Sequence, residues 1–312
     1  MKKFIIFAAA ALALAACSNE VEENLDDSPV AARITAGVST RAINDTWEAD
    51  TIGVMVTSGN ADMVSLYKNV DYSTTAKSSG TAEFSPISDV IYFKGNDEIT
   101  FAAYGPFVDS NDKGTLPGTN KDGVIKSDAN GTRNQNARAK QKAFDYIYAK
   151  ATATSNNPKV NLEFNHVMTR LIINVTTSAS DGFAATDVTS GEYYLSGLVH
   201  DGKFDVTTGT AEADGDVVDD WSLNDNTIKE VSDSNDKLTF TAILYPQTLS
   251  SALGFEAKIN GQSYKIEISP ALEAGYSYSY NITVKKIGLE VSGCSINNWG
   301  DGGTNDVNAL MK

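Results

Sequence analysis

The sequence consists largely of short runs that alternate apolar and polar residues and are separated by turn residues. The clearest runs are RLIINVT at 170–176 and SYSYNITV at 277–284, in which every second side chain would face the same side of a strand. Asn260-Gly261 stands between two alternating runs, which is the strongest short-range signal for a hairpin. No segment keeps a helical period for long, and the best helical candidate, residues 136–142, is short. The pattern predicts an all-β chain of the sandwich type.

The chain of 312 residues is long enough for two domains that each bury a core of their own. We place the boundary between them near residues 165–170, with one β-sandwich over residues 42–167 and a second over residues 168–312. A hairpin is expected where residues 90–93 lead through a Gly-Asn-Asp turn into residues 98–104.

The N-terminus has the features of an export signal over residues 1–16. Lys2 and Lys3 precede an apolar stretch, residues 4–16, that is too short to span a bilayer. The small residues before Cys17 resemble the end of a bacterial lipoprotein signal, in which the cysteine thiol is acylated, for example with palmitate, and becomes the mature N-terminus. The alternative is an ordinary cleaved signal with an incidental cysteine. Several acyl chains would anchor the protein firmly to a membrane.

Acidic residues follow Cys17 at once and begin a polar stretch without periodicity, which we assign to a linker over residues 17–41. The acidic cluster resembles the surface-export signal of lipoproteins in the Bacteroides group, and the alternative is a plain solvated tether. Within and just beyond this region, residues 32–42 alternate in part and predict a first strand.

Charge and cysteine content limit the partners and the covalent chemistry of the chain. The formal net charge of −15 repels phosphate backbones, so nucleic acid is not expected as a partner. The chain has two cysteines, and once Cys17 is lipidated only Cys294 remains, which cannot form an internal disulfide. The core alone must therefore hold the fold together.

Residues of the kind that catalyse reactions are few. The two histidines, His166 and His200, stand at a strand junction and in a turn, where packing or capping roles are more common than catalytic ones. Motifs of the hydrolase, zinc-protease and phosphate-binding classes do not occur, and no base can be assigned to Cys294. We therefore predict that the protein is not an enzyme and needs no cofactor.

An acidic run, DGDVVDD at 214–220, is the one candidate for calcium. It supplies carboxylates at Asp214, Asp216, Asp219 and Asp220, and calcium prefers oxygen ligands. The run lacks the glycine and the final glutamate of a calcium-binding EF-hand loop, so a solvated loop is the preferred interpretation and no metal site is predicted.

Five segments in a fixed order resemble a known family. They are WEADTIGVMV (47–56), ITFAAYGPF (99–107), FDYIYA (144–149), LEFNHVMTRLIINV (162–175) and EAGYSYSYNITV…INNW (273–299). Each is weak alone, but their order behind a lipoprotein-type signal is fairly specific. From about residue 40 to residue 300, the chain resembles the fimbrillin family of the Bacteroides group, whose members build type V pili.

The resemblance implies two tandem β-sandwich domains, transthyretin-like with Greek-key connections, on a lipoprotein of the outer membrane and cell surface. It also implies that an arginine-specific protease removes the N-terminal segment with its first strand, and that a neighbouring subunit donates a strand to the opened groove. Arg41, in VSTRAIND, is the candidate cleavage site, and Arg33 is the alternative. A donated strand would restore the lost backbone pairing, and head-to-tail donation gives a filament that does not close.

The donor would come from the C-terminus, where residues 287–291 alternate. The tail beyond Trp299 is polar and glycine-rich, with only Val307, Leu310 and Met311 as apolar anchors, which makes it a poor donor strand. The sequence thus predicts a structural or adhesive pilus subunit that binds other subunits and host or bacterial surface ligands. An anchor subunit is one alternative. A non-polymerising surface lipoprotein that binds glycan through exposed rings, such as Trp221 or Trp299, is another.

Overall fold

A computed structural model describes residues 29–38, 47, 50–75 and 80–299. Cys17, Arg41 and the tail beyond residue 299 lie outside these residues. Strands predominate, and those of the first half are β1 (Arg33–Val38), β2 (Thr51–Ser58), β3 (Val70–Ser73), β4 (Ala82–Pro86), β5 (Ile99–Gly105), β6 (Val124–Lys126), β7 (Ile147–Ala153) and β8 (Lys159–His166).

Seven of these strands form one closed sheet in the order β1-β4-β3-β2-β5-β7-β8, with β1 and β8 completing the circle. Neighbouring strands are antiparallel except for β1 and β8, which run parallel. Alternation gives the closed sheet an inner and an outer face, since every second side chain of β8 is buried while the others are exposed. The all-β prediction is confirmed. A two-sheet sandwich in the first half is not, since its strands form this single closed sheet.

The second half contains thirteen described strands. They are β9 (Thr169–Thr177), β10 (Glu192–Ser196), β11 (Leu198–Val199), β12 (Gly202–Asp205), β13 (Thr210–Ala213), β14 (Val217–Val218), β15 (Trp221–Ser222), β16 (Ile228–Val231), β17 (Lys237–Leu244), β18 (Leu253–Ile259), β19 (Gln262–Ile268), β20 (Tyr276–Lys285) and β21 (Gly288–Asn298).

Two larger sheets of the second half share a hydrophobic core. One has the order β16-β17-β9-β20-β21 and the other the order β15-β10-β18-β19. Phe240 and Tyr278 from the first sheet and Tyr193 and Phe255 from the second belong to the same buried cluster. A three-stranded sheet, β13-β12-β6, takes its outer strand β6 from the first half of the chain.

The described helices are short: α1 (Ala61–Leu66), α2 (Arg138–Phe144), α3 (Asp187–Ser190), α4 (Leu223–Asn226) and a 3₁₀ turn (Ala179–Asp181). Helix α2 overlaps the predicted segment at 136–142. None of the helices in the described part of the chain has the length and apolar composition needed to cross a bilayer.

The two predicted hairpins have opposite outcomes. Asn260 and Gly261 adopt φ angles of 51° and 75° and connect β18 to β19, as predicted. The hairpin expected at 90–104 is wrong, because β5 pairs with β2 and β7 instead. Ile91 and Phe93 are buried in the core of the closed sheet, and the Phe93 N–H donates to Val30 C=O at 2.9 Å, so this segment packs beside the chain that enters β1.

A third apolar cluster joins the two halves. It combines Met55 and Tyr104 of the closed sheet with Phe204 and Tyr245 of the second half. The ring of Tyr146 stacks on Phe204 with the centroids 4.6 Å apart. The predicted boundary near residue 167 falls between β8 and β9, but β6 crosses it by pairing with β12.

Candidate functional site

Strand β1 is enclosed on both edges. It pairs with β4, where Ile34 lies opposite Phe84, and with β8, where Ile34 lies beside Val160. The Arg33 N–H also donates to the Pro158 C=O at 2.9 Å. A strand that is paired on both edges has no row of unpaired backbone N–H and C=O groups to offer to another chain. As long as β1 is in place, the closed sheet therefore has no open edge at this strand.

The side chains of β1 alternate between the core and the outer face. Ile34 and Ala36 belong to the buried cluster of the closed sheet, and Ala36 has no exposed surface. On the outer side, the Thr35 hydroxyl donates to Asn161 Oδ1 at 2.7 Å. Arg33 lies directly beside Lys159 of β8, and both are exposed. Two like charges side by side disfavour this end of the pairing.

Trp47 contacts both of the strands that flank β1. Its ring packs edge-on against Phe84 of β4 at 4.8 Å and against Phe164 of β8 at 5.9 Å. The indole N–H donates to the Gly80 C=O at 3.1 Å. Trp47 lies C-terminal to the candidate cleavage site Arg41, so a cut there would leave it with the body of the protein.

The two candidate cleavage arginines differ in their relation to β1. Arg41 lies outside the described residues, three positions after the end of β1 in the sequence and before Trp47. Arg33 is the first residue of β1. A cut after Arg41 would separate the whole strand from the body, whereas a cut after Arg33 would leave five of its residues attached.

His166 has the contacts of a packing residue. Its Nδ1 lies 2.6 Å from Asp145 Oδ1, and its ring stacks on Trp299 with the centroids 4.4 Å apart. The guanidinium of Arg170 lies 5.6 Å from the Trp299 ring, and burial lowers the pKa of Arg170. These contacts tie the end of β21 to the junction between β8 and β9.

His200 is fully buried at the seam between the halves. Its Nδ1 lies 3.0 Å from the Thr132 hydroxyl, and its ring packs against Trp221 at 4.5 Å. Burial lowers the pKa of His200 to about 4, and the nearby Arg133 guanidinium adds to the effect. Arg133 itself forms a bidentate ion pair with Asp201, in which its two terminal nitrogens lie 2.7 and 2.9 Å from the two carboxylate oxygens. The imidazole is therefore neutral at pH 7 and serves the packing of the seam.

The acidic run at 214–220 is not a plain loop, because it includes the short strand β14. Asp214, Asp216, Asp219 and Asp220 are all exposed. Within the ranges that the structure describes, no three His, Cys, Asp or Glu side chains come together in a way that could hold a metal ion.

The two tryptophan rings considered for glycan binding are buried in the protein. Trp221 is 4% exposed and Trp299 is 3% exposed. Neither ring offers a free face, so these residues do not form the glycan-binding surface considered from the sequence. Cys294 is half-buried on β21 opposite Tyr280, and burial raises the pKa of its thiol.

The segment expected to donate a strand is largely part of β21. Leu289 and Val291 pack against the core of the second half, and the strand pairs with β20 along its length. What sequence reasoning missed is the parallel pairing of β1 with β8 and the position of Trp47 beside it. The pairing of β1 with β8 and the contact of Trp47 with Phe164 join residues more than a hundred positions apart, which no local pattern reveals.

Comparison with known proteins identifies relatives of the whole chain. Residues 40–299 match the family described as fimbrillin-like. A Bacteroides uniformis protein named as a fimbrium subunit, Fim1C, is 29% identical over 99% of this chain and 100% of its own length. The solved structure of a protein assigned to cell adhesion in Bacteroides ovatus has a TM-score of 0.71 and 26% identity, covering 87% of this chain and 98% of that one. A second one, from Bacteroides uniformis, has a TM-score of 0.67 and 23% identity, covers 88% and 99%, and is similar in fold.

Proposed function

Because this chain belongs to the fimbrillin-like family, we propose that it is a cell-surface pilus subunit, exported as a lipoprotein and assembled by strand exchange. The family consists of fimbrial and adhesion proteins rather than enzymes. In this proposal, acylation of Cys17 holds the precursor at the outer membrane. An arginine-specific protease then cuts after Arg41, and other pilus subunits fill the opened groove with a strand.

The observation that most supports the proposal is the placement of β1. The strand lies between β4 and β8 and ends just before Arg41 in the chain. It is also the N-terminal strand of the sheet, so one cut beyond it frees it with its linker. Arg33 does not serve this purpose, since a cut there leaves most of β1 in place.

Loss of β1 creates a site that selects a strand. The backbone groups of β4 and β8 that face β1 lose their partners, and the places of Ile34 and Ala36 in the core become empty. Exposed ladders and apolar strips of this kind favour addition of another strand, whose backbone gives affinity and whose alternate side chains give specificity. Repeated head-to-tail, the exchange gives an open filament.

Digestion of the purified Ser18–Lys312 protein with an arginine-specific protease tests the proposal. We expect a new N-terminus at Ala42 by mass spectrometry, followed by oligomers that resist SDS. Arg41→Lys is the matched control, because it keeps the charge but is not a substrate for such a protease. A protein that is cut completely after Arg41 and stays monomeric would contradict assembly by strand exchange.

A further inference from the structure

The two outer faces of the second half differ in charge. On the sheet β15-β10-β18-β19, Glu192 lies opposite Lys258. Beside this pair, Glu256 lies between Tyr194 and Lys265. The Lys265 ammonium is 3.4 Å from the Glu256 carboxylate, and the Lys258 ammonium is 4.5 Å from the centroid of the Tyr194 ring. This outer face is therefore a charged surface whose side chains pair with one another.

The outer face of the sheet β16-β17-β9-β20-β21 carries two rows of uncharged side chains across its three middle strands. One row is Thr239, Asn174 and Asn281, and the other is Thr241, Ile172 and Ser279. These six residues form what we name the neutral face. The residues between them along each strand belong to the buried cluster of the second half. Asn281 is exposed and the other five are partly exposed, so the neutral face points away from the core.

The side chains of the neutral face hold one another in place. The Thr239 hydroxyl donates to Asn174 Oδ1 at 2.8 Å. The Asn174 amide in turn donates to Asn281 Oδ1 at 3.0 Å and to the Ser279 hydroxyl at 3.2 Å. Short side chains that are already held lose less rotamer freedom on burial than Lys or Glu side chains lose. The cost of covering this face with another surface is correspondingly small.

Charged residues lie at the margins of the neutral face rather than within it. Glu230 lies beside Thr239 on the edge strand β16, and Lys285 forms an ion pair with Glu290 near the turn that joins β20 to β21. The formal net charge of the chain is −15, so two copies repel each other wherever their carboxylates meet. A second copy therefore meets least repulsion at the neutral face.

We propose that the neutral face is a contact surface for the same face of a second copy of this chain, packed about a two-fold axis. Hydroxyl and amide groups both donate and accept hydrogen bonds, so the surface is complementary to itself without matched charges. Covering it avoids the desolvation of charges that covering the other outer face would require. A neutral sugar could bond to the same groups, but the two rows contain no aromatic ring for it to stack on.

The size of the face determines how strong this contact is. The surface continues onto β21, where Ser295 lies opposite Ser279, and onto a third row, where the hydroxyls of Thr176 and Thr283 are 3.1 Å apart. Four strands about 4.8 Å apart and three alternate positions about 6.8 Å apart cover roughly 400 Å². Two copies would bury about 800 Å² in total, which is typical of a weak, transient contact. In the filaments of the proposed function, many such contacts side by side would add up and join filaments laterally.

Light scattering by the uncut Ser18–Lys312 protein at concentrations up to about 1 mM tests the contact without any cleavage. We expect a weak dimer whose fraction rises with concentration. Asn281→Asp keeps the oxygen that accepts from Asn174 but places like charges on both faces. It should raise the dissociation constant of the dimer on the order of tenfold. Asn260→Asp adds the same charge at the hairpin of the other sheet and should leave the constant unchanged.

A mixture of two variants tests the two-fold arrangement. Asn281→Lys alone should weaken the dimer as Asn281→Asp does, whereas an equimolar mixture of the two should dimerise at least as well as wild type, because opposite charges then meet. A mixture that stays monomeric would overturn the two-fold packing.

The remaining outcomes decide whether the neutral face is a contact surface between copies. Wild-type protein that is monomeric at every concentration, or a dimer that Asn281→Asp does not weaken, would overturn the proposal. Monomeric protein that binds a neutral glycan, with binding lost in Asn281→Asp, would also overturn it and assign the face to carbohydrate. These results leave strand exchange untouched, and a failure of strand exchange would leave the dimer of the uncut protein untouched.

Discussion

At the scale of single residues, Trp47 and His200 show how buried side chains connect parts of the chain that are distant in sequence. Trp47 links β4 and β8 from inside the closed sheet, independently of β1. In the proposed open subunit, these two contacts of Trp47 would still join β4 to β8. His200 packs between Thr132 and Trp221, and burial there lowers its pKa to about 4, which favours the neutral imidazole.

Trp47→Ala should destabilise the protein by about 3–5 kcal/mol, because it removes a large buried ring and leaves a cavity. Trp47→Phe keeps an aromatic ring and should cost less. Urea unfolding of the uncut protein measures both. A loss below about 1 kcal/mol for Trp47→Ala would mean that the ring does not support the two strands.

His200 should make the fold sensitive to mild acid. Its pKa in the folded state is about 4, below the ordinary value of 6.5, so below pH 6.5 the unfolded chain takes up a proton that the folded chain does not. Stability should fall by about 2 kcal/mol between pH 6.5 and pH 4.5. His200→Asn should flatten this dependence, whereas other ionisable groups contribute equally to both proteins. Identical slopes in urea unfolding would contradict the assignment.

At the scale of elements, the predictability of each strand depended on how local its partners are. The hairpin at Asn260-Gly261 could be predicted because two adjacent residues set the turn and the flanking runs alternate. The expected hairpin at 90–104 had similar local signals, but burial of Ile91 and Phe93 in the closed sheet took precedence. Alternation in residues 32–42 located β1, whereas its parallel partner β8 could not be identified from the sequence.

Removal of β1 should expose the strands that flank it. Amides of residues 82–84 and 159–164 that face β1 should exchange with deuterium at least roughly tenfold faster in the cut, still monomeric protein. Amides of β9 and β20, which pair with each other in the second half, should keep their protection and serve as the internal control. Equal protection of residues 159–164 before and after the cut would show that the groove between β4 and β8 does not open.

At the scale of the whole molecule, the proposed function distinguishes a sealed precursor from an open subunit that lacks the N-terminal strand β1. The all-β class and the family could be predicted from the sequence. Both depend on local patterns and on the order in which these patterns follow one another along the chain. The closed form of the first sheet and the seam built around Phe204 and Tyr245 depend on side chains brought together by folding.

The proposed lipid anchor has its own test at this scale. Cys17→Ala should abolish labelling with an alkyne analogue of palmitate and move the full-length protein out of the outer-membrane fraction, because the acyl chains supply the membrane affinity. Ser18→Ala, next to it, is the matched control and should behave as wild type. If the Cys17→Ala protein is still labelled with the palmitate analogue, the acylated residue is not Cys17.

A reversible lock on β1 tests the central claim, that the place of β1 is the assembly site. Thr35 and Glu83 are paired across β1 and β4, so Thr35→Cys with Glu83→Cys allows a disulfide, and Cys294→Ser removes the competing thiol. The account predicts that the locked protein, although cut after Arg41, stays monomeric, and that adding a reductant starts assembly. Oligomers of the locked protein at the yield of the reduced one would contradict it.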